Sequence, residues 1–367
     1  MSKIKIGIIG TGVGIRTHYK GFKLFEDSAE VYAIAGSSYL RSVEFAEKYE
    51  IPVACADYKE LCDMNDIDLI CITTPNKYHK EMLEYAISRK KHIICEKPMV
   101  TTAKDVCLIN NLTKKYDHIL IVDHQLRFNP YIAKIKELID SGTLGKIYNV
   151  KINQQGSGFA NENLPWSWSF DGDEGGGVRL AMASHFTDLI QFWFDNRPVI
   201  SVSATLNPIT KKRLDKNNNE KNVIASTTCD AFITLKDELT VHYSINAGSY
   251  SEPRFDISIF GDRAELSFSL QDKLRIYYRS AIGKVEKILP EGVYSDELEN
   301  KISIFSGSFR YLAPELIYAI QSGDTSRIKK AATPIDAKYN IDVLEAIKKA
   351  ANSSGSVSFG KETNIYV

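Results

Sequence analysis

Over residues 1–125 the apolar positions fall into short blocks, separated by stretches in which they recur every third or fourth residue. Lys3–Ile9 (K-I-K-I-G-I-I), Glu30–Ala35, Asp68–Ile72 (D-L-I-C-I), His92–Cys95 and His118–Val122 read as strands. Ile15–Phe25, Tyr39–Tyr49, Lys77–Ser88 and Ala103–Lys115 read as helices. Near-continuous apolar strands belong to sheets covered on both faces. Strand–helix alternation with right-handed crossovers predicts an α/β domain with a doubly wound parallel sheet. After about Leu144 the pattern changes. Ile147–Gln155 alternates as a half-exposed strand and Val178–Phe194 is an amphipathic helix. Cys229–Leu235, Leu239–Ile245, Phe255–Phe260 and Leu274–Tyr278 read as antiparallel strands, and the polar Asp215–Lys221 as a hairpin tip. This predicts a C-terminal α+β domain over 126–367 with an open, mostly antiparallel sheet. A last amphipathic helix, 335–351, is expected there or packed back on the first domain.

Composition narrows the partners. The 367 residues suffice for two domains, and 46 Lys plus Arg balance 46 Asp plus Glu. A nucleic-acid binder would carry a basic stripe, so none is expected as partner. No window approaches the length of a membrane span, and the N-terminus enters a strand with no signal segment. Cys55, Cys62, Cys71, Cys95, Cys107 and Cys229 form no C-x-x-C pair and no zinc spacing. They read as ordinary thiols of a cytoplasmic protein with no metal centre.

The first strand runs directly into Gly10-Thr11-Gly12-Val13-Gly14, with Ile15 opening the helix. Glycine suits a tight turn that must approach a pyrophosphate, and the helix behind it offers free N–H groups and a favourable dipole. Such a string alone can be a flexible loop. Between the first strand and helix of a βαβ unit it predicts a dinucleotide-binding Rossmann domain, 1–125. The common spacing wants the third glycine at Ile15 rather than Gly14, so the helix is expected to pack slightly farther from the strand. At the end of the second strand, Gly36-Ser37-Ser38-Tyr39-Leu40-Arg41 lacks the carboxylate that selects NAD. Ser37 and Ser38 can donate to a phosphate and Arg41 lies one helical turn on, which favours NADP over NAD. Arg41 as a solvated surface charge is the alternative.

With that turn, several further segments resemble the Gfo/Idh/MocA family of oxidoreductases. Thr73-Thr74-Pro75-Asn76-Lys77-Tyr78-His79 resembles the family's T-P-N-x-x-H loop, and Glu96-Lys97-Pro98 its E-K-P motif. The resemblance implies that Thr73, Thr74, Pro75, Asn76, His79, Glu96 and Lys97 line the cofactor, with Lys97 reaching substrate and nicotinamide. Arg127-Phe128-Asn129-Pro130 and Gly142–Ile147 resemble the bridge into the second domain. Trp168, the run Gly175-Gly176-Gly177, and His185-Phe186-Thr187-Asp188 resemble the W…G-G-G…H-x-x-D stretch on the active-site helix. Thr333–Asp336 resembles the T-x-x-D lead-in to the final helix. The family implies a sugar, nucleotide-sugar or polyol as substrate, and a homodimer or homotetramer.

The chemistry reads independently. Hydride transfer to or from a carbinol carbon needs a group that takes the hydroxyl proton and stabilises the developing alkoxide. Lys97 follows a buried strand at the end where open α/β sheets place ligands; its alternative is a lysine capping the strand. His185 exchanges protons near neutral pH, and Asp188 either orients its ring or forms a plain cap or salt bridge. His124, Arg127 and Trp168 are substrate-contact candidates, with packing as the competing use of His124 and Trp168. Two positions depart from the family: Ala181 stands where an aspartate often precedes the histidine by four residues, and Ser169 follows Trp168 where arginine is usual. An NAD-dependent glycosidase and a catalytically silent NAD(P)-binding regulator are therefore carried as alternatives. The apolar sides of Val199–Thr205 and Thr240–Ile245 are expected to meet a second copy.

Overall fold

The computed structural model describes residues 2–172, 174–293, 303–353 and 355–359. They fall into two compact units. The first comprises the described residues of Met1–Asn129 and Tyr294–Lys338. Its strands are β1 (Ile4–Ile9), β2 (Ala29–Ala35), β3 (Val53–Cys55), β4 (Leu69–Ile72), β5 (His92–Glu96) and β6 (Leu120–Asp123). They pair in parallel in the order β3-β2-β1-β4-β5-β6, a doubly wound sheet whose strand order reverses at β1. Helix α1 begins as a π-wound turn over Gly14–Tyr19 and continues as an α-helix over Lys20–Lys23. Helices α2 (Tyr39–Tyr49), α3 (Tyr58–Asp63), α4 (His79–Ser88) and α5 (Ala103–Thr113) make the crossovers. The short β3 and α3 have too few apolar repeats to stand out in the sequence.

Every residue of β4 and β6 is buried, as their unbroken apolar runs require. The layer against Ile4, Ile6 and Ile8 includes Phe309, Leu312, Ala313, Leu316 and Ile317. Those residues belong to a helix at Phe309–Ser322 that the hydrophobic pattern did not single out. Its periodicity is plain in retrospect, but distance along the chain concealed its membership of this core.

The second unit comprises the described residues of Pro130–Val293 and Tyr339–Val367. Helices α6 (Pro130–Asp140) and α7 (Ser184–Trp193) lie in it, α7 preceded by a second π-wound turn at Arg179–Ala183. Its large sheet includes β7 (Ile147–Gln155), β8 (Val199–Asn207), β11 (Thr228–Leu235), β12 (Thr240–Asn246) and β13 (Arg254–Gly261). Among the described residues nine strands pair in it, and of these only β7 and β12 run parallel. The short ribbon of β9 (Lys212–Leu214) and β10 (Glu220–Asn222) carries the expected polar tip.

The sheet's apolar side, with Val202, Ile233, Val241 and Ile245, is buried within this unit. Phe186 of α7 packs at 5.8 and 5.7 Å from Tyr243 and Phe255. The expectation of an exposed apolar face is thus corrected: alternation turned those residues toward the unit's own helices, and the other side is mostly polar. The last long helix, Pro334–Ser353, joins this unit from Tyr339 onward, where Asn340 donates to the Ser184 carbonyl at 2.8 Å.

Candidate active site

The phosphate-binding turn is built by steric necessity. Gly10 has φ +113°, and a Cβ there would lie 2.7 Å from the Thr73 carbonyl oxygen. At Gly14 a Cβ would collide with Thr73 Oγ1 and come within 2.6 Å of Ile8 Cγ2. Helix α1 therefore makes its close approach to the sheet through Gly14, while Ile15 is buried. Nothing lies within 4 Å of a Cβ built on Gly12, so the backbone from Gly12 through Val13 is open to a ligand. These features fit a dinucleotide pyrophosphate. Thr73 Oγ1 donates to the Ile9 carbonyl at 2.8 Å and locks the T-P-N loop to the same strand end.

At the end of β2, Ser38 caps α2 by accepting from Arg41 N at 3.3 Å. Ser37 and Ser38 are exposed. The Arg41 guanidinium lies over the Phe45 ring at 4.2 Å and pairs with Glu44 at 2.8 Å. Farther along the sheet edge, Asn76 is buried at the start of a short turn, with Thr74 and Pro75 half-buried before it. His79 is fully buried: its ring nitrogens lie 2.8 Å from the Thr74 carbonyl oxygen and 3.1 Å from that of Pro98. Burial draws its proton affinity down. His79 braces the loop after β4 against the loop after β5.

Lys97 follows β5 and is half-buried. Burial lowers its proton affinity, against the opposing pull of Glu96 and Asp123. Glu96 accepts from the backbone N–H of Lys97 at 3.2 Å. Behind it, His18 Nε2 lies 3.4 Å from Glu96 Oε1 and 3.0 Å from Asp123 Oδ2, all three residues buried. Burial opposes the charged form of His18, but hydrogen bonding to Asp123, Cys71 and Glu96 outweighs it and holds the imidazole well above its ordinary range. Burial pushes the Asp123 carboxyl up to about 6. Burial also disfavours the charged form of Glu96, yet the hydrogen bond with His18 wins and leaves that carboxyl below the usual range.

His124 and Arg127 follow β6 and are buried. Burial, with the Arg127 and Lys97 charges, holds His124 well below its ordinary range, so it is neutral near pH 7. Arg127 donates to the Lys330 carbonyl at 3.3 Å and pairs with Asp336 at 3.5 Å. Asp336 accepts from Thr333 N at 2.7 Å and its Oγ1 at 2.8 Å, which caps the last helix. The geometry gives Arg127 the work of holding the turn that presents His124.

The structure thus gathers Glu96, Lys97, His124 and Arg127 in the first unit and adds His18 and Asp123. Sequence reasoning missed Asp123, although its signal is there: L-I-V-D and H-I-I-C-E are apolar runs that each end on a carboxylate. In a parallel sheet those ends lie side by side, and Glu96 and Asp123 are register partners.

Trp168 and His185 belong to the second unit. Trp168 opens a short turn, Trp168–Phe170, and is 37% exposed. The glycine run folds against that turn: Gly177 N donates to the Ser169 carbonyl at 3.0 Å, and a Cβ on Gly176 would lie 2.5 Å from the same oxygen. His185 and Asp188 are buried on α7. Ala181 lies in the π-wound turn before them and puts no carboxylate there.

Comparison with known proteins agrees along the chain. Residues 4–124 match the model for the oxidoreductase family with NAD-binding Rossmann fold, and 136–359 that for its C-terminal alpha/beta domain. An uncharacterized oxidoreductase of Synechocystis sp. is 26% identical over 75% of this chain and 73% of its own. Myo-inositol 2-dehydrogenase of Thermotoga maritima is 32% identical over 41% of this chain and 45% of its own. The solved structure of a levoglucosan dehydrogenase in complex with NADH and L-sorbose aligns with TM-score 0.85 and 19% identity, covering 98% of this chain and 100% of that one. At that identity the likeness is one of fold.

Proposed function

The chain belongs to the Gfo/Idh/MocA oxidoreductase family, and we propose that it interconverts a hydroxyl and a keto group on a sugar, nucleotide-sugar or polyol, using NAD or NADP. The observation that carries this reading is Lys97: an amine of lowered proton affinity at the C-terminal end of β5, on the same sheet edge as the glycine turn after β1. A bound dinucleotide supplies the hydride acceptor or donor. Gly10, Gly12, Val13, Gly14 and Ile15 hold its phosphates, and Thr73 to Asn76 line it while His79 braces that wall. Lys97 takes the substrate hydroxyl proton or returns it, and its charged form stabilises alkoxide character. His185 serves as the second proton-exchanging group, and His124 and Trp168 contact substrate. The myo-inositol 2-dehydrogenase relative supports the substrate class.

For the cofactor the proposal leans to NADP, through Ser37, Ser38 and Arg41. The Arg41–Glu44 pair is exposed, and such pairs hold their partners weakly, so the guanidinium is available to a 2′-phosphate. A homodimer or homotetramer is proposed through the sheet side that carries Phe232, 60% exposed and stacked on His242 at 4.2 Å. All six thiols are free, Cys107 alone of them exposed, which suits a reducing cytoplasm. No described helix is long and apolar enough to cross a membrane.

The test is a screen of the purified protein with NAD or NADP against myo-inositol, levoglucosan and common nucleotide sugars. Cofactor reduction with at least one supports the reading. Nucleotide binding with no reduction by any of them favours the regulator, which the loss of a carboxylate at Ala181 makes the second reading.

A further inference from the structure

The proposed chemistry of Lys97 makes no direct use of the buried cluster of His18, Glu96 and Asp123 in the first unit. Glu96 and Asp123 end neighbouring parallel strands as register partners, so two carboxylates face each other out of water. Like charges this close and this buried cannot both ionise without a cation between them. The group between them is His18, 3.0 Å from Asp123 and 3.4 Å from Glu96. Neither Asp123 oxygen has an aligned hydrogen-bond donor among the described residues, and the His18 ring meets it as an ion-pair contact at 3.0 Å. The imidazole also packs on Phe309, with ring centroids 4.4 Å apart, and an aromatic ring favours a cation.

We propose that His18 is a positioning residue for the reaction: an imidazolium across the working pH range that keeps Glu96 and Asp123 as carboxylates behind Lys97. It also ties the phosphate-binding helix to the reacting end of the sheet. His18 sits in the π-wound turn that begins at Gly14, so one side chain links the pyrophosphate turn to the residue preceding Lys97. The groups that face the cluster are consistent with this. Cys71 of β4 bears on His18, and Lys97 and His79 on Glu96. Arg127, Asp336, Lys97 and Glu96 bear on His124 next door. The carboxylates hold Lys97 toward its ammonium form while burial draws it toward the amine, so Asp123 helps set the balance.

The inference rests on the reading of Lys97, but its tests need no turnover, so the two can fail separately. In the first, long-range proton–nitrogen NMR of histidine-labelled wild-type protein follows the His18 ring, assigned with His18→Gln. A ring still doubly protonated at about pH 8, well past the ordinary histidine midpoint, is expected. A singly protonated ring, as a neutral or metal-ligating histidine has, overturns the proposal. In the second, trace acetic anhydride labels wild-type and Asp123→Asn protein across a pH series, and the Lys97 peptide is quantified by mass spectrometry. Loss of the carboxylate should lower the labelling midpoint and raise Lys97 acetylation several-fold at about pH 8. A purely structural Asp123 would leave the midpoint where it was, and that outcome also overturns the proposal. Should Asp123→Asn not fold, the wild-type NMR result decides alone.

Discussion

Arg41 places one side chain against Glu44 and the Phe45 ring, and the proposed function adds a cofactor phosphate to these. The Glu44 pair is exposed and contributes little to stability, while the guanidinium rests on the buried Phe45 ring. A 2′-phosphate offers a charge-assisted bond worth roughly 1.5–3 kcal/mol. Arg41→Ala should therefore weaken NADP about tenfold or more while leaving NAD nearly unchanged, measured by fluorescence titration of the reduced forms. Equal loss for both would assign Arg41 to the surface of α2. His185 has a different test. If Lys97 carries the proton alone, His185→Ala should lower turnover less than loss of the lysine does; if the two act as a unit, the losses should be about equal and should not add in the double variant. Most of these residues were legible in the sequence, because motif spacing fixes the strand ends that carry them. Asp123 and the bracing role of His79 were not: Asp123 acquires Glu96 and His18 from other strands and helices, and His79 is tied to Pro98 across 19 positions.

Strand β1, the glycine turn and helix α1 act as one element. The sequence places the third glycine at Gly14 instead of Ile15, and the helix begins with a π-wound turn over Gly14–Tyr19. Such turns take up an extra residue and recur at functional sites. The expected looser packing is replaced by contact at Gly14 itself, against Ile8 and Thr73. Gly14→Ala should displace Thr73 from its bond to Ile9 and cost about 1–3 kcal/mol, the range for overpacking a tight core. A lowered Tm together with weakened nucleotide binding is the expected pair of results; a Gly14→Ala variant with wild-type Tm and affinity would refute the close approach. Elements with long periodic runs, such as Tyr39–Tyr49 and Ile147–Gln155, were legible to the residue. The Phe309–Ser322 helix was not assigned because its partners are β1 and α1, which no local pattern announces.

Stability of the folded chain should carry the signature of the buried cluster. His18 has a folded proton affinity raised above its ordinary value of 6.5. Its contribution is therefore fully present below about pH 6.5 and lost as pH rises through the higher folded value. Asp123, raised from 3.8 to about 6, works in the same direction: the folded state holds its proton longer, so stability falls as pH rises between those values. His18→Gln should thus lower Tm more at about pH 6 than at about pH 10, read by differential scanning fluorimetry. An equal loss at both would mean that the imidazole is neutral when folded. Assembly has its own check, since light scattering at micromolar protein should give the mass of a dimer or tetramer and Phe232→Asp should reduce it. A wild-type monomer would contradict the proposed interface.

The reading of the chain as a hydride-transferring enzyme turns on Lys97, and steady-state kinetics of Lys97→Ala address it most directly. The substrate is whichever sugar or polyol the wild-type protein oxidises, and cofactor affinity is measured separately. The variant should bind NAD or NADP close to normally and lose roughly 10²–10⁴-fold in kcat, the usual range for a positioned acid–base group. Unchanged turnover in Lys97→Ala, with cofactor affinity intact, would contradict the account.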